Sequence, residues 1–197
     1  MRRCLPPDRS GSGPVNGGRL AVSVILLGAV IGGIGLWYTA DRAFYEPVAF
    51  EPGAEIRLVP LASDQPEPIL AEAVQGIDAK SSPIKFRACF TTPMSLAMLT
   101  ETYRPYDGAV PLNAPTVFPC FDAEAIGAAL ETGEALAFLS EPNITYGIDR
   151  VVAITGDGQG YAWHQINDCG REVFAGRPAP EGCPPVPEGP TPSEGQD

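Results

Sequence analysis

The chain has 197 residues and a formal net charge of −11, with 13 Lys or Arg against 24 Asp or Glu. The charge is divided: residues 1–42 hold five Arg against Asp8 and Asp41, a net of +3, and residues 43–197 hold a net of −14. So acidic a body repels nucleic acid and anionic lipid heads, which excludes nucleic acid as the expected partner, and the roughly 130 residues left for folding suit one core and not two.

Residues 1–19 are rich in Gly, Pro and Ser and carry Arg2, Arg3, Arg9 and Arg19. They predict a disordered tail. Residues 20–38 (LAVSVILLGAVIGGIGLWY) contain no formal charge. Nineteen residues as a helix span about 28 Å, close to the hydrocarbon thickness of a bilayer. No polar face appears on any helical period, as a buried helix of a soluble protein would show. Basic residues precede the stretch, so the N-terminus is expected inside and the remainder exported. A cleaved signal peptide is the alternative. Trp37 and Tyr38 stand where a peptidase requires small residues, and they suit a membrane interface. The expectation is therefore a single-pass anchor in a bacterial inner membrane, with a cytoplasmic N-terminus and a periplasmic domain. Cys4 precedes the apolar run and is expected as a free cytosolic thiol. Gly28 and Gly32 form a G-x-x-x-G, a spacing that permits close helix approach and self-association.

Residues 39–55 are expected to link membrane to domain, because Pro47 and Pro52 oppose a continuous helix. Residues 56–61 alternate and predict an edge strand, since Pro60 cannot donate to a ladder. Pro66 and Pro68 mark a turn. Residues 69–77 fit a short helix or a strand equally. Residues 84–90 predict a strand with Ile84, Phe86, Ala88 and Phe90 on one face and Lys85, Arg87 and Cys89 on the other. Thr92 as N-cap and Pro93 at the first helical position predict a helix over residues 94–103, with Leu96, Leu99 and Tyr103 as its apolar stripe. Residues 104–120 carry four prolines and predict a long loop.

Residues 121–132 are the strongest helix signal, capped by Asp122, with Glu124 in the first turn and Gly133 beyond the end. Residues 135–139 predict a buried strand, ended by a break at Glu141, Pro142 and Asn143. Residues 148–155 and 161–166, joined by a glycine-rich turn, predict a β-hairpin. Tyr161, Trp163 and Gln165 share one face of its second strand; Ala162, His164 and Ile166 share the other. After Cys169 the composition becomes Pro- and Gly-rich, and residues 184–197 predict a disordered acidic tail. The sum is an α+β domain over residues 56–183, with a mostly antiparallel sheet of four or five strands and two helices on one side.

Cys89, Cys120, Cys169 and Cys183 lie in the exported part, where disulfides are the default. The pairing expected is sequence-near, Cys89 with Cys120 and Cys169 with Cys183. No C-x-x-C occurs and no close ligand pairs suggest zinc. His164 is the only histidine. It is the first place to seek a general base or a metal ligand, although a lone strand histidine is more often structural. A nucleophile beside it would have to be Ser95, Ser140, Thr145 or an unpaired cysteine, and no serine sits in a nucleophile elbow. That alternative is a hydrolase or thiol enzyme centred on His164. Met94 and Met98 are four apart on a predicted helix, and with His164 they would make a copper-like or small-ligand site; packing in the core is the plainer reading. Asn143-Ile144-Thr145 matches a glycosylation acceptor, which matters only on a eukaryotic secretory route. No cofactor motif is present.

Residues 82–103, 121–152 and 161–169 together resemble an uncharacterised family of small membrane proteins of marine and photosynthetic alphaproteobacteria. The resemblance spans roughly residues 50–185 and implies one N-terminal anchor and a periplasmic domain, with no catalytic residues to carry over. Members are sometimes labelled histidine kinase. This sequence contradicts that label, since its one histidine sits in an exported strand and the expected cytoplasmic part has no room for an ATP-binding domain. The functional expectation is a protein-binding accessory or assembly domain without catalysis, its partner a membrane or periplasmic protein.

Overall fold

A computed structural model of the chain describes residues 17–41 and 45–187. The predicted tail over residues 1–16, with Cys4, and the end of the acidic tail from residue 188 lie outside the described residues. Helix α1, Gly17–Asp41, is long and apolar enough to cross a membrane over Gly17–Thr39 and forms a compact unit of its own. It begins within the segment expected to be a disordered tail and overruns the segment expected to be linker.

The domain is built on a six-stranded antiparallel sheet. Its strands are β1 (Glu46–Pro47), β4 (Glu72–Asp78), β5 (Arg87–Thr91), β6 (Ala135–Thr145), β7 (Ile148–Thr155) and β8 (Gln159–Ile166), in the order β1-β4-β5-β8-β7-β6. A separate ribbon pairs β2 (Arg57–Leu58) with β3 (Glu67–Pro68). Two expectations are corrected here. Residues 56–61 supply β2 to the ribbon and not a strand of the main sheet, with the Val59 amide donating to the Leu139 carbonyl of β6, and the segment expected as linker supplies β1 at the opposite edge. Its Pro47 is tolerated because β1 is an edge strand. Of residues 69–77, those from Glu72 onward form strand β4, with a bulge between Glu72 and Gln75.

The central strands are apolar on both faces. Phe86, Ala88, Phe90, Val152, Ile154 and Ala162 form one core, and Cys89, Val151, Ala153 and Trp163 join the other. Such strands need cover on both sides. The two predicted helices accordingly lie on opposite faces, not on one side as the sequence suggested. Helix α2, Leu96–Thr102, places Leu99 in the first core; α3, Ala123–Thr132, places Ile126 in the second. The Asp122 carboxylate accepts from the Glu124 and Ala125 amides, and Gly133 ends α3.

Helix α2 starts later than predicted. Thr92 donates its amide to the Gly158 carbonyl in the hairpin turn (2.9 Å), and its hydroxyl accepts from the Met94 amide. Thr92 is thereby pinned to the hairpin, and Ser95 becomes the cap. Gly158 holds a left-handed φ of 85° with the Thr92 carbonyl pressed against it, a position closed to side chains.

The predicted break at residues 141–143 is also corrected. Strand β6 runs through it with two register shifts, and Pro142 fits because β6 is an edge strand. Residues 104–106 cover part of that edge: the Tyr106 amide donates to the Ala137 carbonyl and the Leu139 amide to the Arg104 carbonyl. This blunts an unpaired row of backbone groups. After β8 the chain forms α4, Asp168–Phe174, which composition did not reveal. Asn167 caps it by accepting from the Gly170 amide.

Candidate functional site

Strand pairing puts Glu141 opposite Arg150, and Arg150 opposite His164. A row of three polar side chains thus crosses β6, β7 and β8. Arg150 donates from Nε to His164 Nε2 (3.1 Å) and from Nη1 to Glu141 (3.3 Å). Since Nε2 accepts, the other ring nitrogen carries the proton, and Nδ1 donates to the Pro83 carbonyl (2.6 Å). Phe86 closes the row. The imidazole stacks on its ring at 4.6 Å, and the Arg150 guanidinium lies 4.5 Å from the ring centre. Burial pushes the His164 pKa down to about 4; the Pro83 carbonyl opposes, and the charges of Arg150 and Arg87 add to the fall. Burial also lowers the Arg150 pKa, against Glu141.

The imidazole is therefore neutral at pH 7 with both nitrogens engaged. To take a proton at Nε2 it would have to lose the Arg150 bond and place two positive groups together. The chemistry the row performs is positional: it joins three strands and fixes Pro83 over the end of the sheet.

The other sequence candidates are not brought to this point. Met94 packs half-buried against the first core, and Met98 is 54% exposed; neither lines the cleft of about 260 Å³ beside His164. The four cysteines of the domain form Cys89–Cys120 and Cys169–Cys183. Ser140 donates its hydroxyl to the Arg57 carbonyl (2.6 Å), Ser95 caps α2, and Thr145 lines the cleft. Among the described residues, no group of three or more His, Cys, Asp or Glu is placed to hold a metal ion.

Sequence reading missed several buried polar groups. Arg87, on β5, is buried and donates to the carbonyls of Ile84, Phe86, Leu112 and Asn113. Its burial lowers its pKa to about 10. Gln165 accepts from the Val110 amide (2.7 Å) and donates to the Gly108 carbonyl (2.9 Å). Both side chains fasten the loop over residues 104–120 to the sheet. Asp149 accepts from the Asn143 amide, the Asn167 amide group and the Tyr106 hydroxyl. Burial, followed by the Asp149 charge, raises the Tyr106 pKa. Asn143 is occupied in this network, its oxygen accepting from the Gly147 amide and from Asn167. Hairpin register was the one signal in the sequence that places Arg150 beside His164; the loop carbonyls around Arg87 leave no such signal.

Below the polar row lies an apolar groove of about 530 Å³. It shares Pro83, Thr145 and Ile148 with the His164 cleft. Its walls come from Ile84, Tyr146 and Ile166, from Val173 and Phe174 of α4, and from Val186 and Pro187 of the C-terminal segment. Helix α4 reaches this position because Gly147 and Gly170 touch: a Cβ on Gly170 would stand 2.2 Å from the Gly147 carbonyl oxygen. Phe174 is 56% exposed, and the Tyr146 hydroxyl is buried without a hydrogen-bond partner among the described residues.

Against known proteins, the family model described as "Family of unknown function (DUF6446)" matches residues 56–184, and the chain belongs to that family. No curated protein and no solved structure matches it.

Proposed function

We propose that this member of the family is a single-pass protein of a bacterial inner membrane, of alphaproteobacterial type, whose periplasmic domain binds a protein partner and performs no catalysis. Arg2, Arg3 and Arg9 ahead of helix α1, with Arg19 in its first turn, support the orientation. Two disulfides suit an oxidising compartment. The observation that carries the binding role is the groove. It gathers apolar side chains and an unsatisfied hydroxyl on a domain that is otherwise acidic, and apolar surface rimmed by polar residues marks protein contact. The engaged state of His164 weighs against a base or copper ligand at that position.

Photo-crosslinking in the native membrane tests this. A photoreactive residue replacing Phe174 should give one discrete adduct, and the same residue replacing Leu61, which is equally exposed but outside the groove, should give none. Adducts from neither position, or the same adducts from both, would refute the binding role. An impermeant maleimide should leave Cys4 unlabelled on intact cells with a permeabilised outer membrane; labelling there would reverse the orientation.

A further inference from the structure

The C-terminal segment after α4 ends its described course with Val186 and Pro187 forming one wall of the apolar groove. Little besides a disulfide holds it there. Residues 184, 185 and 187 are prolines and have no amide hydrogen to donate. Among the described residues, the hydrogen bonds of the segment are local. Ala175, Gly176 and Arg177 donate to the carbonyls of Glu172 and Val173, Arg177 pairs with Glu172, and the Cys183 amide donates to the Pro180 carbonyl. The covalent tie to the fold is Cys183 to Cys169, which sits in the first turn of α4. Cys169 and Cys183 are both partly exposed; in the other disulfide Cys120 is exposed, but its partner Cys89 is 8% exposed and lies in a core.

We propose that Cys169–Cys183 is a redox-sensitive clasp that holds the C-terminal strap against the groove, and that its reduction releases Val186 and Pro187 and opens the groove. The reductant is a dithiol, of the class that thiol–disulfide oxidoreductases carry. Its first thiolate attacks one sulfur of the bond, forming a mixed disulfide and expelling the other cysteine as a thiolate. Its second thiolate attacks the mixed disulfide and frees the remaining cysteine. The protein gains two electrons and two protons as two thiols; the reductant leaves as a disulfide. The strap is then tethered only through residues 175–182, which include Gly176, Pro178, Pro180 and Gly182. The clasp regulates the surface assigned above to a partner, so its purpose rests on that reading. Its existence is measured without any partner.

The test uses the full chain in detergent micelles, with dithiothreitol as the reductant and hydroxyl-radical labelling read by mass spectrometry. Tyr146 reports on the groove, and Trp163, which is fully buried, reports on the fold. Once Cys169 and Cys183 are reduced, labelling of Tyr146 should rise about threefold with Trp163 unchanged, as local opening without global unfolding requires. The double variant Cys169→Ser, Cys183→Ser should show the same rise with no reductant. Val186→Gly, with the disulfide intact, should show a smaller one. Unchanged Tyr146 labelling in the double variant would overturn the proposal. So would a parallel rise at Trp163, which would make this disulfide a staple of the whole fold. A failed crosslink from the groove would leave these readings untouched, and a failed clasp would leave the crosslink untouched.

Discussion

Two proline-rich segments leave the sheet, and each is closed by one disulfide: residues 104–120 by Cys89–Cys120, and residues 175–187 by Cys169–Cys183. The first is fastened many times over. Arg87 and Gln165 bind its backbone, Tyr106 joins the β6 edge, and Phe118 and Phe121 pack in the second core beside Cys89. The second has local hydrogen bonds, one disulfide and the apolar contact of its end. The same cross-link chemistry thus serves two purposes. Where other ties hold the loop, the disulfide belongs to the fold. Where they do not, it decides whether a segment stays in place.

Removing the two bridges separately should break the comparison open. Cys89→Ala with Cys120→Ala frees a loop of sequence separation 31, and the chain-entropy account gives a loss of about 4 kcal/mol, read as a lower urea midpoint. Acidification should act on the polar row beside the groove. Between pH 6.5 and 4 the unfolded His164 takes a proton that the folded one refuses. Stability present above pH 6.5 is therefore lost as pH falls, by about 3 kcal/mol in all. His164→Gln should remove that part of the pH slope. The difference between the two proteins isolates it from the carboxylates, which titrate in both. A slope unchanged by the substitution would mean that the imidazole is not buried neutral.

Gln165→Leu probes the loop's redundancy. It leaves the Val110 amide, the Gly108 carbonyl and the buried Trp163 indole N–H without their Gln165 partner and should cost about 2 kcal/mol while Cys89–Cys120 stays formed. The smallest effect is expected from Cys169→Ala with Cys183→Ala. Its sequence separation of 14 would by the same entropy account predict about 3 kcal/mol. If the strap frays in the folded state, the entropy regained there cancels most of the gain in the unfolded chain, and the stability read from the urea midpoint should fall by less than about 1 kcal/mol. A loss comparable to that of the first bridge would erase the distinction between the two segments.

What could be read from the sequence followed the range of the forces involved. Helix α3 was legible because its cap, its acidic first turn and Gly133 lie within its own residues, and the hairpin of β7 and β8 because its turn glycines do. The start of α2 was misplaced because the deciding bond, from Thr92 to Gly158, comes from a hairpin far along the chain. Alternation put His164 on the correct face of β8 but could not name Pro83, 81 residues away, as the partner of Nδ1. The placement of both helices on one side failed for a related reason: the apolar character of both strand faces was present in Val151, Val152, Ala153 and Ile154, and only the assembled sheet makes two-sided cover necessary. The groove was illegible, since its walls come from the β4–β5 connection, the β6–β7 turn, α4 and the strap, and short of the structure nothing joins them.

The claim that the two bridges differ in kind is tested most directly by graded reduction of the full chain carrying Trp37→Phe, with alkylation and mass spectrometry at each step, while the fluorescence of the remaining Trp163 reports the fold. The account predicts that Cys169 and Cys183 become alkylated first, with fluorescence unchanged, and that Cys89 and Cys120 follow only as the domain unfolds. Simultaneous loss of both bridges at the unfolding transition, or earlier loss of Cys89–Cys120, would contradict it.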